Sequence, residues 1–333
     1  MQTVNTTSTK RDLYWDSAKA WLLYLVILGH FTKGQLEYSA TLSGLTTFIY
    51  AFHMPVFIFI SGLFSKKIVS PRFKEIGSLL AVYVIFQAIY AVYFQSLGKP
   101  ASLNPFQPND HLWYLFALFA WRTFIPYFRK IKAPVAIAIL ISIVSGFFEL
   151  GPGLDKAFGY LPFFVLGYFH SFKKTKNPSF LSVAAAFIIC FAGIICLVLG
   201  KYWLIPGGSI FHFFWKPYGA FGAYSMVMPV VRMGAIVSAV TLGYCFLNTV
   251  PESKFMAKLG MYSIYPYLLH NLFVEAFCQY VPYTRGLSEL IFLALSFLIL
   301  WLCALERVRS VFKFLVEPNM SWLKQAKLEQ SST

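Results

Sequence analysis

The sequence predicts an all-α, polytopic integral membrane protein with about ten transmembrane helices and both termini cytoplasmic. Three observations carry this reading. The 333 residues are 58% hydrophobic and 19% aromatic, only 12% are charged, and the mean hydropathy is +0.63. Apolar runs of about 20 residues, the length a helix needs to cross a bilayer, recur along the whole chain. The basic residues alternate between the connecting segments: twenty of the 28 Lys and Arg fall on one predicted side, seven on the other, and Lys19 lies inside the first run. Cytoplasmic loops carry such an excess, and it sets the orientation. The net charge of +15 is therefore a topology signal. It predicts contact with membrane lipids and no nucleic-acid partner.

A polar tail, 1–13, precedes the first run at 15–32, and no cleavage site follows it. That run reads as a retained span and not as a signal peptide. Within it, Asp16, Lys19 and His30 are ionisable groups in hydrocarbon, which are costly unless paired or facing water. Asp16 stands three residues before Lys19, a spacing at which helical side chains meet. Lys19 and His30 are eleven residues apart, about three turns, so they share a face some ~16 Å apart along the axis. The plainer alternative is an ion pair at headgroup level and a histidine at a helix end.

The second span, 44–64, contains His53 and Pro55. An internal proline frees backbone groups and kinks the helix, which is tolerated beside a cavity or a neighbouring helix. The first span runs outward and the second inward, so His30 and His53 both fall in the outer half. The inner loop 65–75 packs Lys66, Lys67, Arg72 and Lys74 together. Such a cluster is a topology signal toward anionic lipid. Arg72 and Lys74, leading into the span 76–97, are also placed to meet phosphates.

The outer segment 99–111 has three prolines and cannot be helical throughout. It delivers His111 to the mouth of the fourth span, 112–128, with Trp113 beside it. Further spans follow at 133–149, 158–171, 179–200, 226–248, 261–281 and 288–310. The one at 158–171 is short and marked by Gly159, Pro162 and Gly167. The segment 201–225 is too apolar for a free loop and is expected at the interface or folded back as a lid, with aromatics for headgroups or for sugar rings. His270, late in the ninth span, reads as a structural hydrogen-bonder more than a catalyst. The membrane domain is thus 14–312, and 313–333 is a cytoplasmic tail. The five cysteines fall within spans and form no metal-binding spacing, so no metal site and no disulfide framework is predicted. No internal repeat is visible, which disfavours a duplicated transporter fold.

At these residues the chain resembles a known family. The D-x2-K-x10-H pattern of 16–30, the F-H-M-P-x-F-x-F-x-S-G run of 52–62, the basic run before the third span, L-W-Y-L at 112–115 and P-Y-L-L-H at 266–270 together resemble the membrane-bound acyltransferase-3 family. The closest likeness is to its fucose 4-O-acetylase-like branch, and it extends from about residue 11 to 310. The resemblance implies a membrane O-acetyltransferase, moving an acetyl group from cytosolic acetyl-CoA to a sugar hydroxyl of a cell-surface polysaccharide or its lipid-linked precursor. It places the chain in the bacterial inner membrane as a stand-alone version with no hydrolase domain after the last span. His30 corresponds to the family's essential histidine, Asp16 and Lys19 to its acidic and basic residues, and Arg72 and Lys74 to its basic run. Many members have Arg at the position of Lys19; lysine keeps the charge and loses the bidentate fork.

On this reading His30, Asp16, Lys19 and His53 form the catalytic set. Arg72, Lys74 and Lys19 hold the acyl-CoA, and His111 and Trp113 meet the glycan or lipid-linked saccharide. The imidazole of His30 acts either as general base on the hydroxyl or as a nucleophile that carries the acyl group. The alternatives are transfer of succinyl or another acyl group, for which Arg232 is the candidate cation, a transporter of polysaccharide or lipid-linked sugar, and a non-catalytic scaffold.

Overall fold

The computed structural model describes residues 12–33, 40–70, 73–175, 184, 212–284 and 286–318. All regular structure among them is helical, in accord with the all-α expectation. The elements are α1 (Leu13–Lys33), α2 (Ala40–Phe64), α3 (Phe73–Ser96), α4 (Trp113–Phe128), α5 (Pro134–Ser145), α6 (Pro152–Gly159), α7 (Leu161–Phe169), α8 (Met228–Thr249), α9 (Lys254–Gly260), α10 (Ile264–Tyr280), α11 (Leu287–Ala304) and α12 (Glu306–Val316). A 3-10 turn, Asp110–Leu112, leads into α4, and a 3-10 stretch, Tyr218–Val227, leads into α8. Among the described residues four stretches are long and apolar enough to cross a membrane: Gly44–Phe64, Ile76–Ser96, Tyr218–Thr249 and Leu287–Ala304. The expected span 179–200 lies, apart from residue 184, outside the described residues.

Two expected spans are divided. The run 158–171 is entered through a separate short helix, because Tyr160 (φ −94°, ψ −3°) turns the chain between α6 and α7. The run 288–310 breaks at Leu305, whose backbone is extended (φ −62°, ψ 141°), and α12 starts there in a new direction. An apolar count over a whole window reads through both places, although Pro162 stands two residues past Tyr160 and Glu306 follows Leu305 directly.

The molecule is built around α1. It packs against α2, α9, α10 and α11, and Ala18, Ala20, Leu22, Leu23, Ile27 and Phe31 are fully buried. Where α9 crosses it, a Cβ on Gly260 would stand 1.9 Å from the Asp16 carbonyl oxygen, so only glycine lets these backbones approach. Ser17 fastens the same crossing: its hydroxyl donates to the Ser253 carbonyl at 2.9 Å and accepts from the Ser253 N–H at 3.1 Å.

The α2–α7 crossing is equally close. A Cβ on Gly62 would meet the Phe164 carbonyl at 2.1 Å, and one on Gly167 the Phe59 carbonyl at 2.0 Å. Small residues at a helix crossing allow the close packing that holds helices together where lipid removes the hydrophobic drive. Gly167→Leu is expected to destabilise the protein by about 3 kcal/mol, the upper range for overpacking. The check is thermal unfolding in detergent, and an unchanged midpoint would disprove the crossing.

Candidate functional site

The outer segment 99–111 is non-helical up to its closing 3-10 turn, as its prolines require, and one side chain makes four of the hydrogen bonds that shape it. Gln87 on α3 is buried, and its Nε2 lies 2.9–3.2 Å from the carbonyl oxygens of Ser102, Asn104 and Gln107. Its Oε1 accepts the Asn109 N–H at 3.0 Å. The segment ends at Asp110, which has φ of 40°, a left-handed conformation that Asp and Asn tolerate better than most residues.

That turn aims the Asp110 carboxylate at the outer end of α1. Its Oδ2 lies 3.3 Å from His30 Nδ1 and accepts from Asn271 Nδ2 at 3.0 Å. Its Oδ1 accepts from Lys33 Nζ at 3.4 Å. Burial alone would raise the Asp110 pKa, but Lys33 and then His30 outweigh it and hold the carboxyl well below the usual range. Asp110 is therefore a fixed anion, and a His30 ring that donates Nδ1–H to it presents Nε2 as the basic nitrogen.

His30 does not stand alone. Its ring centroid is 5.2 Å from that of His270 and 6.0 Å from that of His111, and His111 and His270 are 4.9 Å apart. His270 donates Nδ1–H to the Pro266 carbonyl at 2.9 Å, which leaves Nε2 buried without a hydrogen-bond partner. Both ring nitrogens of His111 are likewise buried and unpartnered, with Nδ1 3.8 Å from Asp110 Oδ2. The structural hydrogen bond expected of His270 is present, and its ring also belongs to the cluster. His53 donates Nδ1–H to Ile49 at 2.6 Å within α2 and packs on Tyr50.

His30, His53, Asp110, His111, Trp113, Lys156 and Trp215 line one cavity of about 110 Å3, and His270 stands behind its wall against His30 and His111. His30 and His53 thus share a chamber, as their place in the outer half suggested. Trp113 stacks on Tyr160 at 4.9 Å. The described part of 201–225 folds back onto the chamber: His212 and Trp215 line it, and Phe214 is buried against Tyr160. Among the described residues no group of His, Cys, Asp and Glu is arranged to hold a metal ion.

A second cavity of about 270 Å3 lies along the same helix toward its N-terminal end. Lys19, Ser61, Tyr114 and Arg122 line it. Asp16 pairs with Lys19 at 2.7 Å, across the three-residue spacing. The Lys19 ammonium also rests 5.4 Å from the Phe64 ring. Tyr267 lines both cavities. Its hydroxyl donates to the His111 carbonyl, and its ring meets Tyr114 at 5.3 Å. One aromatic side chain therefore stands between the cations of the inner cavity and the imidazoles of the outer one. Arg72 and the side chain of Lys74 lie outside the described residues.

Arg232 occupies a different place from the one its charge suggested. It is fully buried, and its guanidinium donates to the carbonyls of Phe213, Ser142 and Lys216 at 2.9, 2.7 and 2.7 Å. Its carbon lies 4.6 Å from the Tyr218 ring centre. Three of its five N–H groups serve the backbone, so it holds the folded-back segment to α5 and α8, and it lines neither cavity.

An enclosed imidazole–carboxylate centre within a bundle of membrane-length helices is the equipment of a membrane-embedded group-transfer enzyme. The family comparison is more specific: a model of the acyltransferase domain matches residues 12–305, and the chain belongs to that family, acyltransferase-3. It is a membrane acyltransferase in these general terms. No curated protein and no solved structure matches it.

Replacing Arg232 leaves three buried carbonyls without their donor. Arg232→Met is expected to cost about 3 kcal/mol, seen as lower abundance and a lower unfolding temperature. A normally stable variant with altered acyl-donor choice would return Arg232 to the role of a donor-recognising cation.

Proposed function

We propose that the chain is an O-acetyltransferase of the bacterial inner membrane, akin to the fucose 4-O-acetylase-like branch of its family. It moves acetyl from cytosolic acetyl-CoA to a sugar hydroxyl of a cell-surface polysaccharide or its lipid-linked precursor. The observation that supports this most is Tyr267 lying between two cavities on one helix face. The inner cavity offers Lys19 and Arg122 to the phosphates or pantetheine of a donor arriving from the cytoplasm, and the basic run that contains Arg72 and Lys74 is assigned to the same donor on the family resemblance alone. The outer cavity offers His30 and aromatic walls to an acceptor.

In this reading both tails are cytoplasmic, in keeping with the basic residues of the connecting segments. The thioester reaches His30 past Tyr267. Nε2 of His30 takes the proton of the acceptor hydroxyl, the oxygen attacks the thioester carbonyl, and the C–S bond breaks to release CoA as thiolate. Asp110 orients the ring and offsets the positive charge it gains. His53, His111 and His270 exclude bulk water around the reacting carbonyl. His111 and Trp113 border the space left for the sugar. Transfer of succinyl loses its candidate cation, because Arg232 is committed to three carbonyls.

The test supplies radiolabelled acetyl-CoA to membranes carrying the protein and follows label into glycan. The native chain should label a saccharide. His30→Ala should reduce labelling at least about a hundredfold, the usual contribution of a general base, at normal abundance. Labelling by the variant near the native level would remove His30 from catalysis, and export of an unlabelled saccharide would favour transport.

A further inference from the structure

Lys156 is the cation of the outer cavity that the scheme above leaves unused. It sits on α6, between the buried Asp155 and Ala157, and its side chain enters the chamber that holds His30. Its ammonium lies 4.8 Å from the Trp215 ring centre and 5.6 Å from that of Trp113. Among the described residues no carboxylate stands within ion-pair distance of it.

The other charges of the chamber are already matched. Lys33 and Asp110 face each other at 3.4 Å, and that pair leaves Lys156 as an excess positive charge. Burial, with Lys33 adding to it, pushes the Lys156 pKa down to about 8. A half-buried ammonium short of an anion gains from a ligand that brings one. The walls beside it are flat and aromatic: Trp113 and Tyr160 stack at an interplanar angle of 27°, and Trp215 faces the cation from the folded-back segment. Tyr160 is covered by Trp113 and Phe214 and backs the wall, and the indoles of Trp113 and Trp215 beside the cation suit the apolar C–H side of a pyranose.

We propose that Lys156, with Trp113, Tyr160 and Trp215, forms a subsite for an anionic group carried on a sugar ring. The acceptor is then an acidic saccharide, its charge either a ring carboxylate or a phosphate. The inference rests on the reading of the outer cavity as the acceptor chamber, and it is tested by binding alone.

Purified protein in lipid nanodiscs is titrated calorimetrically with methyl glucoside, methyl glucuronide and glucose 1-phosphate. One of the two acidic sugars should bind at least tenfold more tightly than the neutral one, and which of them does so identifies carboxylate or phosphate as the source of the charge. Lys156→Gln should abolish the preference, and Lys156→Arg should keep most of it. For a readout free of any folding defect, the native chain is treated with an amine-reactive reagent. Lys156 should be shielded by the preferred acidic sugar and not by methyl glucoside, as read by mass spectrometry. Equal binding of all three sugars, no binding of any, or a preference that survives Lys156→Gln would each overturn the subsite. Since no step uses acetyl-CoA, failure to label glycan would remove the acetyltransfer reading without deciding this one.

Discussion

The carboxylate of Asp110 is the interaction on which the site depends. It joins three parts of the chain: the outer end of α1 through His30 and Lys33, α10 through Asn271, and the proline-rich segment that carries Asp110 itself. An isolated carboxylate in such surroundings would take up a proton. Here Lys33 keeps it charged, and the carboxylate stands 3.3 Å from Nδ1 of His30, on the side where a ring N–H would be favoured. Gln87 and the left-handed backbone at Asp110 complete the device, because a segment without helical hydrogen bonds needs other partners for its polar groups.

Much of this was legible in the sequence wherever one helix supplied the pattern. The Asp16–Lys19 pair follows from a three-residue spacing, and the alignment of Lys19 with His30 follows from the helical period; the structure places the pair at 2.7 Å and Lys19 and His30 each on a cavity. His53 reaches the His30 chamber as its place in the outer half suggested, and His111, with Trp113 beside it, as its place at the mouth of the fourth span suggested. Asp110, Lys156 and Tyr267 were not legible, because their importance comes from contacts between segments as much as 161 residues apart, as for Asp110 and Asn271. Only the sequence neighbour of Asp110, His111, and the run ending at His270 hinted at them. Arg232 shows the converse. Its charge attracted a functional reading, while three carbonyls and a tyrosine ring absorb it.

Span boundaries failed for a related reason. Hydropathy measures whether a residue tolerates lipid, and it is blind to a backbone turn made by tolerant residues. Tyr160 and Leu305 are both apolar enough to continue a span, yet one turns the chain into α7 and the other redirects it into α12. The turn at Tyr160 has a functional consequence: it brings α6, and with it Lys156, over the chamber while α7 packs on α2.

The central claim is that the charge of Asp110, and not merely its shape, makes His30 a base. Asp110→Asn is the closest probe, since the amide keeps the size and an oxygen toward Asn271 and His30, while the charge and the acceptor facing Lys33 are lost. Acyl transfer by this variant is compared with that of the native chain at matched abundance and unfolding temperature. The account predicts a fall of at least about a hundredfold, as for loss of a general base. Transfer near the native rate in a stable Asp110→Asn protein would contradict it.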